Sequence, residues 1–259
     1  ATPTSAPGGE RSPMREGLRD YKVTFHCHCY LSHDSEGTVE EITAAANAQG
    51  FNAVLLTDHY EPGNMGKSAR GLRDGVLFTA GVETRLDGSK GSILSSGLSK
   101  EIQTTDRASL PALLSARGAF VAAGHVEQIA EGYDLSAFHG FEVYNLHAEF
   151  MAASKAGLAA RLLTQTRDTF LESTLSNPDA NLARWDRELA KGLRLAAVSG
   201  HDAHNNIQVL GLVLGTYSEL FRLFSTRVLA HELTERSIMQ ALRIGRTYVA
   251  FDWLGDPAG

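Results

Sequence analysis

Three histidines, two cysteines and an aspartate occur within the short segment VTFHCHCYLSHDSEG, residues 23–37. Histidine and cysteine are both common zinc ligands, which raises the question of which of them could bind metal. Side chains alternate along a strand, so His26 and His28 are predicted to point to the same side. Cys27 and Cys29 then point to the other side, are poorly placed to form a disulfide, and are predicted to be small packing residues. Taken alone, the histidine pair is equally compatible with two buried side chains that bond to backbone carbonyls.

The segment SGHDAH, residues 199–204, repeats this spacing with Asp202 and His204. Both are predicted to lie on one face at the end of a strand, while His201 faces away. Other histidines and acids follow apolar runs in the same manner, and each of them alone could be an ordinary turn or capping residue. The polar residues that end predicted strands are His28, His59, Glu83, His125, Asn145, Asp202 and His204.

The elements that must position these residues alternate between strands and helices. Strands are predicted at YKVTFHCH, FNAVLLTDH, VLFTAGVE, AFVAAGH, GFEVYN, LRLAAVSGHDAH and TYVAF, and helices at TVEEITAAANAQG, SLPALLSARG, TERSIMQALRIG and within 150–192. In the first helix, Thr38 can act as N-cap, Glu41 can complete a capping box and Gly50 can end the helix. This alternation favours an α/β fold, with a parallel sheet or barrel and crossover helices.

Parallel barrels place their active sites at the C-terminal ends of the strands, which is where the polar residues lie. Such groups would be costly beside a shared cavity unless they bound something. Five histidines with three carboxylates form a ligand set that suits two or three divalent ions, and Zn, Mn or Fe would each be compatible with it. The sequence therefore predicts a polynuclear metal site.

Composition excludes some other classes of function. The chain has 259 residues and a formal net charge of −6, without a basic run, which argues against a nucleic-acid partner. No apolar stretch approaches the roughly 18 residues of a membrane span. The expected partner is therefore a small molecule, and nothing in the sequence indicates an oligomeric state.

Two regions are predicted along the chain. Residues 1–20 are rich in Pro, Gly, Ser and charged residues and are predicted to be a flexible leader. Such a leader could remain after removal of a signal peptide or a tag, so that a periplasmic and a cytoplasmic location both stay open. Residues 21–259 are predicted to form a single catalytic domain.

An ordered set of short motifs resembles the PHP (polymerase and histidinol phosphatase) family. The matching segments are HCH (26–28), SHDSEG (32–37), LLTDH (55–59), GVE (81–83), AGH (123–125), FEVYN (141–145) and SGHDAH (199–204). The segment ALRIGRTYVAFDWLGDP near the C-terminus also resembles the metallohydrolase branch that includes carbaryl hydrolases. The resemblance implies a distorted (β/α)7 barrel, a centre of two or three metal ions at the C-terminal rim of its strands, and hydrolysis, most often of phosphoesters.

The resemblance also implies roles for individual residues. The implied metal ligands are His26, His28, Asp34, His59, Glu83, His125, Asp202 and His204. His33 competes with Asp34 for its position. Glu83 would bridge the metals, and Asp202 would bind one metal and orient a hydroxide. His201 is a candidate acid for the leaving group.

The sequence departs from the family pattern at two positions. Ser92 stands where many members have another histidine, which puts a third metal in question, and Val126 replaces a proline. His147 could substitute as a ligand, protonate the leaving group or contact the substrate, although a polar residue at a helix start explains it equally well. Arg85 and Asn145 are the other candidate substrate contacts, and Arg85 could equally be a solvated loop charge.

Three functions remain open on these grounds. The first is a phosphoesterase that uses a metal-bridging hydroxide on a small phosphorylated substrate. The second is a carboxylester or carbamate hydrolase with the same metal centre. The third, a non-catalytic metal-binding scaffold, is disfavoured because structural zinc sites are usually four-coordinate and rich in cysteine.

Overall fold

The computed structural model describes residues 17–205, 207–209 and 212–255. Its strands are β1 Arg19–Cys27, β2 Ala53–Leu56, β3 Gly71–Arg73, β4 Val76–Thr79, β5 Gly81–Arg85, β6 Ser92–Ser96, β7 Phe120–Gly124, β8 Gly140–Asn145, β9 Ala196–Ala203, β10 Ile207–Val209, β11 Leu212–Leu214, β12 Ser225–Ala230 and β13 Thr247–Ala250. Its α-helices are α1 Val39–Ala48, α2 Leu110–Ala116, α3 Leu146–Ala152, α4 Lys155–Thr164, α5 Arg167–Glu172, α6 Asp179–Ala190, α7 Tyr217–Phe221 and α8 Glu235–Arg243.

One curled sheet contains most of the strands, in the order β3-β4-β2-β1-β9-β8-β7-β6-β5. The strands from β4 to β7 along this order are parallel, so their C-terminal ends lie at one rim. An isolated bridge between His59 and Glu83 joins the end of β2 to β5 and closes the curl at that rim. The fold therefore brings the strand ends that carry the histidines and acids around one point.

Helices cover both faces of the sheet. Ile238, Met239 and Leu242 of α8 are buried with Phe25 and Phe120 in one apolar cluster. Helices α1, α2 and α7 pack on the other face, in a larger cluster. In α1, the hydroxyl of Thr38 accepts from the Glu41 N–H and the Glu41 carboxylate accepts from the Thr38 N–H, as the capping-box motif predicts.

The structure confirms the α/β class, and every predicted strand and helix segment contains a strand or helix. The regular (β/α)7 pattern is not confirmed, because β3, β6 and β12 pair antiparallel with their neighbours. The predicted strand VLFTAGVE is two strands, β4 and β5, with Ala80 between them. Strands β3, β6, β10, β11 and β12 were not predicted. Strands β3 and β12 lack strict alternation, and β6 is rich in serine.

The structure describes only the last four residues of the predicted leader, residues 17–20. Strand β1 begins at Arg19, two residues inside the predicted leader, because Arg19 and Asp20 pair with Ala230 and Leu229 of β12. Residues 1–16 lie outside the described residues, so the leader stays a prediction. Within the described ranges, no helix is both long enough and apolar enough to cross a membrane.

Candidate metal centre

Eight polar side chains meet at the rim formed by the strand ends. They come from β1 and the turn after it, from the residue that bridges β2 to β5, from β5 itself, and from the ends of β7 and β9. We call them the rim cluster, and its members are His26, His28, Asp34, His59, Glu83, His125, Asp202 and His204. Every metal ligand implied by the sequence thus lies within one constellation.

A first group within the rim cluster is fully buried. The Nε2 atoms of His26 and His28 each lie 3.3 Å from Glu83 Oε2. The same two atoms lie 3.3 and 3.4 Å from Asp202 Oδ1. Two imidazole nitrogens and two carboxylate oxygens therefore face one another within 4.8 Å, which is the donor set of a divalent metal site.

A second group lies nearer to solvent. His59 Nε2 is 3.1 Å from Asp34 Oδ2, and His204 Nε2 is 3.4 Å from Asp34 Oδ1. His28 belongs to this group as well, because its ligand nitrogen lies within 4.8 Å of those of His59 and His204. His33 is exposed, with its ring 5.0 Å from that of His59, so Asp34 is the better placed of the two competing residues.

His125 approaches the other oxygen of each central carboxylate. Its Nε2 lies 3.6 Å from Glu83 Oε1 and 3.4 Å from Asp202 Oδ2. Ser92, at the position of the missing family histidine, is buried on β6 opposite Gly124. This third group therefore has fewer ligands than the first.

An irregular backbone aims three of these side chains at the centre. The β1 ladder pairs Phe25 with Gly200 and Cys27 with Ala203, which leaves His26 in a bulge opposite His201 and Asp202. His26, Asp202 and His125 have φ angles of 56°, 50° and 47°, in the left-handed region that non-glycine residues seldom adopt. Such strained conformations occur preferentially at functional sites. The Nε2 atoms of His26 and His28 do face the same centre, as predicted. The bulge at His26 produces this arrangement, instead of the regular alternation of a strand.

Hydrogen bonds set which nitrogen of each imidazole faces the cluster. His26 Nδ1 lies 2.6 Å from Glu142 Oε1, and His204 Nδ1 lies 2.9 Å from the backbone oxygen of Asp202. Because those oxygens can only accept, each Nδ1 carries the proton, and Nε2 offers a lone pair when the ring is neutral. The Nε2 atoms of His28 and His204 have no hydrogen-bond partner among the described residues. Buried ring nitrogens that lack a hydrogen-bond partner and are directed at one point fit a bound cation.

The electrostatic field at the first group also fits a cation. Burial lowers the pKa of His28, but the negative carboxylates of Asp202 and Glu83, 3.4 and 3.3 Å from its Nε2, outweigh it and raise that pKa to about 9. Burial likewise lowers the pKa of His26, but Asp202, Glu142 and Glu83 raise it well above its usual value. Burial raises the pKa values of Glu83 and Asp202, yet the neighbouring histidines hold both well below the usual range. A field that favours protons on imidazoles would equally favour divalent cations in their place.

These shifts predict how the stability of the metal-free protein depends on pH. Protonated His26 and His28 stabilise the fold fully below the ordinary histidine pKa of 6.5, and this is lost as the pH rises through their folded values, about 9 for His28. Glu83 and Asp202 contribute above the ordinary carboxyl pKa of about 4 and lose that contribution on acidification. With EDTA present, we expect the Tm to be highest near pH 6.5, because His201, whose pKa burial lowers to about 3, destabilises the fold as the pH falls below 6.5. The increase in Tm produced by Zn²⁺ should grow from pH 6 to 9, because ligands must be deprotonated. A Tm with EDTA that rises from pH 6.5 to 9 would contradict this assignment.

Glu142 is a residue of the candidate site that the sequence reasoning missed. Its carboxylate is buried beneath His26 and also accepts hydrogen bonds from the His125 N–H, at 2.8 Å, and from Asn145 Nδ2, at 3.0 Å. One carboxylate therefore orients two of the candidate ligands, which is a common arrangement behind metal-binding histidines. The available indication was a charged residue inside the otherwise apolar strand GFEVYN, where an acid needs a buried partner.

Replacing Glu142 by Gln should weaken metal binding without unfolding the protein. The amide has the same size, but its NH2 group would face another donor. That donor would be either the Nδ1–H of His26 or the His125 N–H and Asn145 Nδ2. We expect the affinity for Zn²⁺, measured by equilibrium dialysis, to fall about 10- to 100-fold. Glu188→Gln is the matched control, because Glu188 is a buried glutamate of α6 that pairs with Lys191. Equal affinities for the two variants would show that Glu142 does not support the ligands.

Two predicted site residues, His201 and Asn145, are not members of the rim cluster and do not face its centre. His201 points into the core on the other side of β9, where Nδ1 lies 2.9 Å from Thr24 Oγ1, Nε2 lies 3.0 Å from the Phe224 oxygen, and the ring stacks on Phe224. Burial lowers its pKa to about 3. The predicted role of His201 as a catalytic acid does not fit this position, because the ring faces away from the rim cluster. Asn145 is buried, caps α3 through the Ala148 N–H and donates to Glu142, so it supports the site instead of contacting substrate.

The other two predicted site residues are exposed to solvent. His147 is exposed on α3, and its ring centroid is 6.5 Å from that of His125. Arg85 is exposed at the end of β5, on the same face as Glu83. Cys27 and Cys29 are buried free thiols, as predicted, and neither belongs to the metal-ligand groups found among the described residues.

Comparisons with known proteins place the fold. No protein-family model and no curated protein matches the chain. A solved two-domain protein from Bacteroides vulgatus, which contains a predicted PHP-like metal-dependent phosphoesterase, is 19% identical with a TM-score of 0.54. The match covers 93% of this chain and 67% of that protein. A candidate metal-dependent phosphoesterase from Bifidobacterium adolescentis is 12% identical with a TM-score of 0.39, over 77% of this chain and 93% of that one. The first of these likenesses shows that the chain shares the fold of a protein with a PHP-like domain, as the sequence motifs predict.

Proposed function

We propose that this protein is a metal-dependent hydrolase that cleaves phosphate esters. The observation that carries the proposal is the rim cluster, in which five imidazoles and three carboxylates converge at the strand ends. Two of its buried ring nitrogens have no hydrogen-bond partner among the described residues. A structural site would need only four ligands and no open side. The shared fold with a PHP-like protein supports the same conclusion.

Three groups of residues would hold cations. The first is His26, His28, Glu83 and Asp202, and the second is His59, His204 and Asp34 with His28 adjacent. The third, with fewer ligands, is His125 with the outer oxygens of Glu83 and Asp202. Bound divalent cations would supply positive charge that polarises the ester and lowers the pKa of water. Zn²⁺, Mn²⁺ and Fe²⁺ all accept such donors.

The remaining chemistry would come from side chains at the open side of the rim cluster. Arg85 lies about 7 Å along β5 from Glu83, two residues further on, so its guanidinium can bind the oxygens of a phosphoryl group above the cluster. His147, beside His125, would hold the proton that the leaving oxygen takes up when the P–O bond breaks. Glu142 would keep the Nδ1 proton of His26 in place throughout.

Hydrolysis of matched nitrophenyl esters tests the proposal. Zn²⁺- or Mn²⁺-loaded protein would be assayed with p-nitrophenyl phosphate, bis(p-nitrophenyl) phosphate and p-nitrophenyl acetate. We expect turnover of a phosphate ester that is lost in Asp202→Asn and retained in Asp168→Asn, a surface aspartate that pairs with Arg222. Turnover of the acetate alone would favour the carboxylester or carbamate hydrolase. Absence of turnover with metal bound would favour the non-catalytic scaffold.

Arg85 provides a separate test of the substrate class. If its guanidinium binds a phosphoryl group, Arg85→Gln should raise KM for p-nitrophenyl phosphate about tenfold or more, the equivalent of one charge-assisted hydrogen bond, and change kcat less. Turnover of an uncharged ester should be nearly unaffected. Arg73→Gln, on exposed strand β3, is the matched control. An unchanged KM in Arg85→Gln would mean that Arg85 is only a solvated charge.

A further inference from the structure

Asp58 is a buried carboxylate directly before His59, and it does not belong to any of the three groups of candidate ligands. Its Oδ1 accepts from the Cys29 N–H at 2.7 Å and from the Ser32 hydroxyl at 3.1 Å. Its Oδ2 accepts from the Cys29 thiol at 3.3 Å. All of these donors are neutral, so none of them cancels the negative charge of Asp58.

Ser32 connects this carboxylate to two candidate ligands. Its buried Oγ accepts from the His59 N–H at 2.9 Å and lies 2.9 Å from His28 Nδ1. A serine hydroxyl has one proton, and that proton is used in the bond to Asp58. His28 Nδ1 must therefore be the donor to Ser32. His28 then presents Nε2 to the rim cluster as a lone pair when the ring is neutral.

We propose that Asp58 and Ser32 are a pair of positioning residues for the metal centre. The pair fixes the Nδ1–H form and the ring orientation of His28, and it holds the backbone of His59. Carboxylates that accept a hydrogen bond from a metal-binding histidine increase its strength as a ligand, and here Ser32 transmits this effect of Asp58. The inference rests on the proposed function, because it concerns affinity for a metal.

The position of His28 gives the proposal a distinctive consequence. The Nε2 atom of His28 lies within 4.8 Å of the ligand atoms of the first group and of His59 and His204 in the second, whereas His26 belongs only to the first. Loss of the Asp58–Ser32 pair should therefore weaken cation binding at both groups. Loss of Glu142, which contacts His26, should chiefly affect the first group and His125.

The experiment compares Ser32→Ala and Asp58→Asn with the wild-type protein, using Zn²⁺ alone as the probe. Asparagine at position 58 can keep both bonds to Oδ1, so this variant removes the charge and preserves the geometry. Ser225→Ala is the matched control, since Ser225 is a buried serine of β12 whose hydroxyl accepts from Arg227. In equilibrium dialysis, we expect at least tenfold weaker Zn²⁺ binding for Ser32→Ala and Asp58→Asn and an unchanged affinity for the control.

A spectroscopic measurement separates positioning from a purely structural role. In Zn²⁺-loaded, ¹⁵N-labelled wild-type protein, His28 should show a downfield, exchange-protected Nδ1–H proton. This resonance should be lost in Ser32→Ala and move upfield in Asp58→Asn. If Ser32→Ala does not fold, the wild-type spectrum and Asp58→Asn still decide, and a proton on Nε2 of His28 would overturn the proposal.

The outcomes distinguish this inference from the proposed function. Failure of the wild-type protein to bind Zn²⁺ would overturn both. Zn²⁺ binding by the wild-type protein, with both variants within twofold of it and the His28 resonance unmoved, would overturn the role of Asp58 and Ser32 alone.

Discussion

Replacing Glu83 by Gln should reduce phosphate-ester hydrolysis on the order of 10³-fold and remove most of the bound metal. Glu83 is the carboxylate around which the rim cluster is arranged. Its Oε2 lies 3.3 Å from Nε2 of His26, Nε2 of His28 and Nδ1 of His59, while Oε1 faces His125. An amide keeps the shape but removes the charge that would hold cations in more than one group. Metal content by elemental analysis and kcat/KM on a nitrophenyl phosphate are the measurements.

The same substitution should leave the fold intact. Glutamine occupies the same volume, and two hydrogen bonds of Glu83 use only backbone atoms. The Glu83 N–H donates to the backbone oxygen of Asp58, and the backbone oxygen of Glu83 accepts from the Tyr60 N–H. Glu83→Asp, which keeps the charge but shortens the side chain, should fall between the wild-type protein and Glu83→Gln. A Glu83→Gln protein that keeps its metal and its turnover would show that the carboxylate is not a central ligand.

Replacing Gly200 by Ala should damage both stability and metal binding. A Cβ at Gly200 would overlap Glu142 Oε1 and lie 2.9 Å from the Cβ of His26, in a site without free space. Overpacking of this kind costs about 1–3 kcal/mol of the free energy of unfolding. The displacement of Glu142 should add a Zn²⁺ affinity loss of at least the size expected for Glu142→Gln. Urea unfolding in EDTA and equilibrium dialysis measure the two effects separately.

A second substitution sharpens this test. Glu142→Asp in the Gly200→Ala background shortens the overlapping carboxylate and should recover part of the lost stability, because the two changes involve touching atoms. Gly66→Ala is the control, since a Cβ there meets nothing closer than 3.7 Å and Gly66 is exposed. Wild-type stability in Gly200→Ala would mean that the packing around Glu142 is looser than the structure shows.

Most of the rim cluster could be brought together from the sequence, because its members follow predicted strands. A polar residue after an apolar run lies at the C-terminal rim whatever the details of the sheet, so His59, Glu83 and His125 could be placed together. Spacing of two residues correctly separated His26 and His28 from Cys27 and Cys29. The same spacing predicted that Asp202 and His201 point to opposite sides of the strand. The proposed catalytic role of His201 was inconsistent with that prediction.

What the sequence could not predict depends on contacts between distant segments. Glu142 acts through His26, 116 residues away in the chain, and Ser32 connects His28 to Asp58 across 26 residues. Neither pairing has a local pattern. The bulge at His26 and the left-handed conformations of Asp202 and His125 likewise arise from the way β1, β7 and β9 meet, so a regular (β/α)7 scheme could not anticipate them.

Anomalous diffraction from crystals containing Zn²⁺, recorded on both sides of the zinc edge, tests the central claim most directly. We expect an ion about 2.0–2.2 Å from Nε2 of His26, Nε2 of His28 and an oxygen of Asp202, and a second ion between His59 and His204. Zinc bound to the protein in solution but absent from the rim cluster in the crystal, with the His26–Glu142 contact intact, would contradict it.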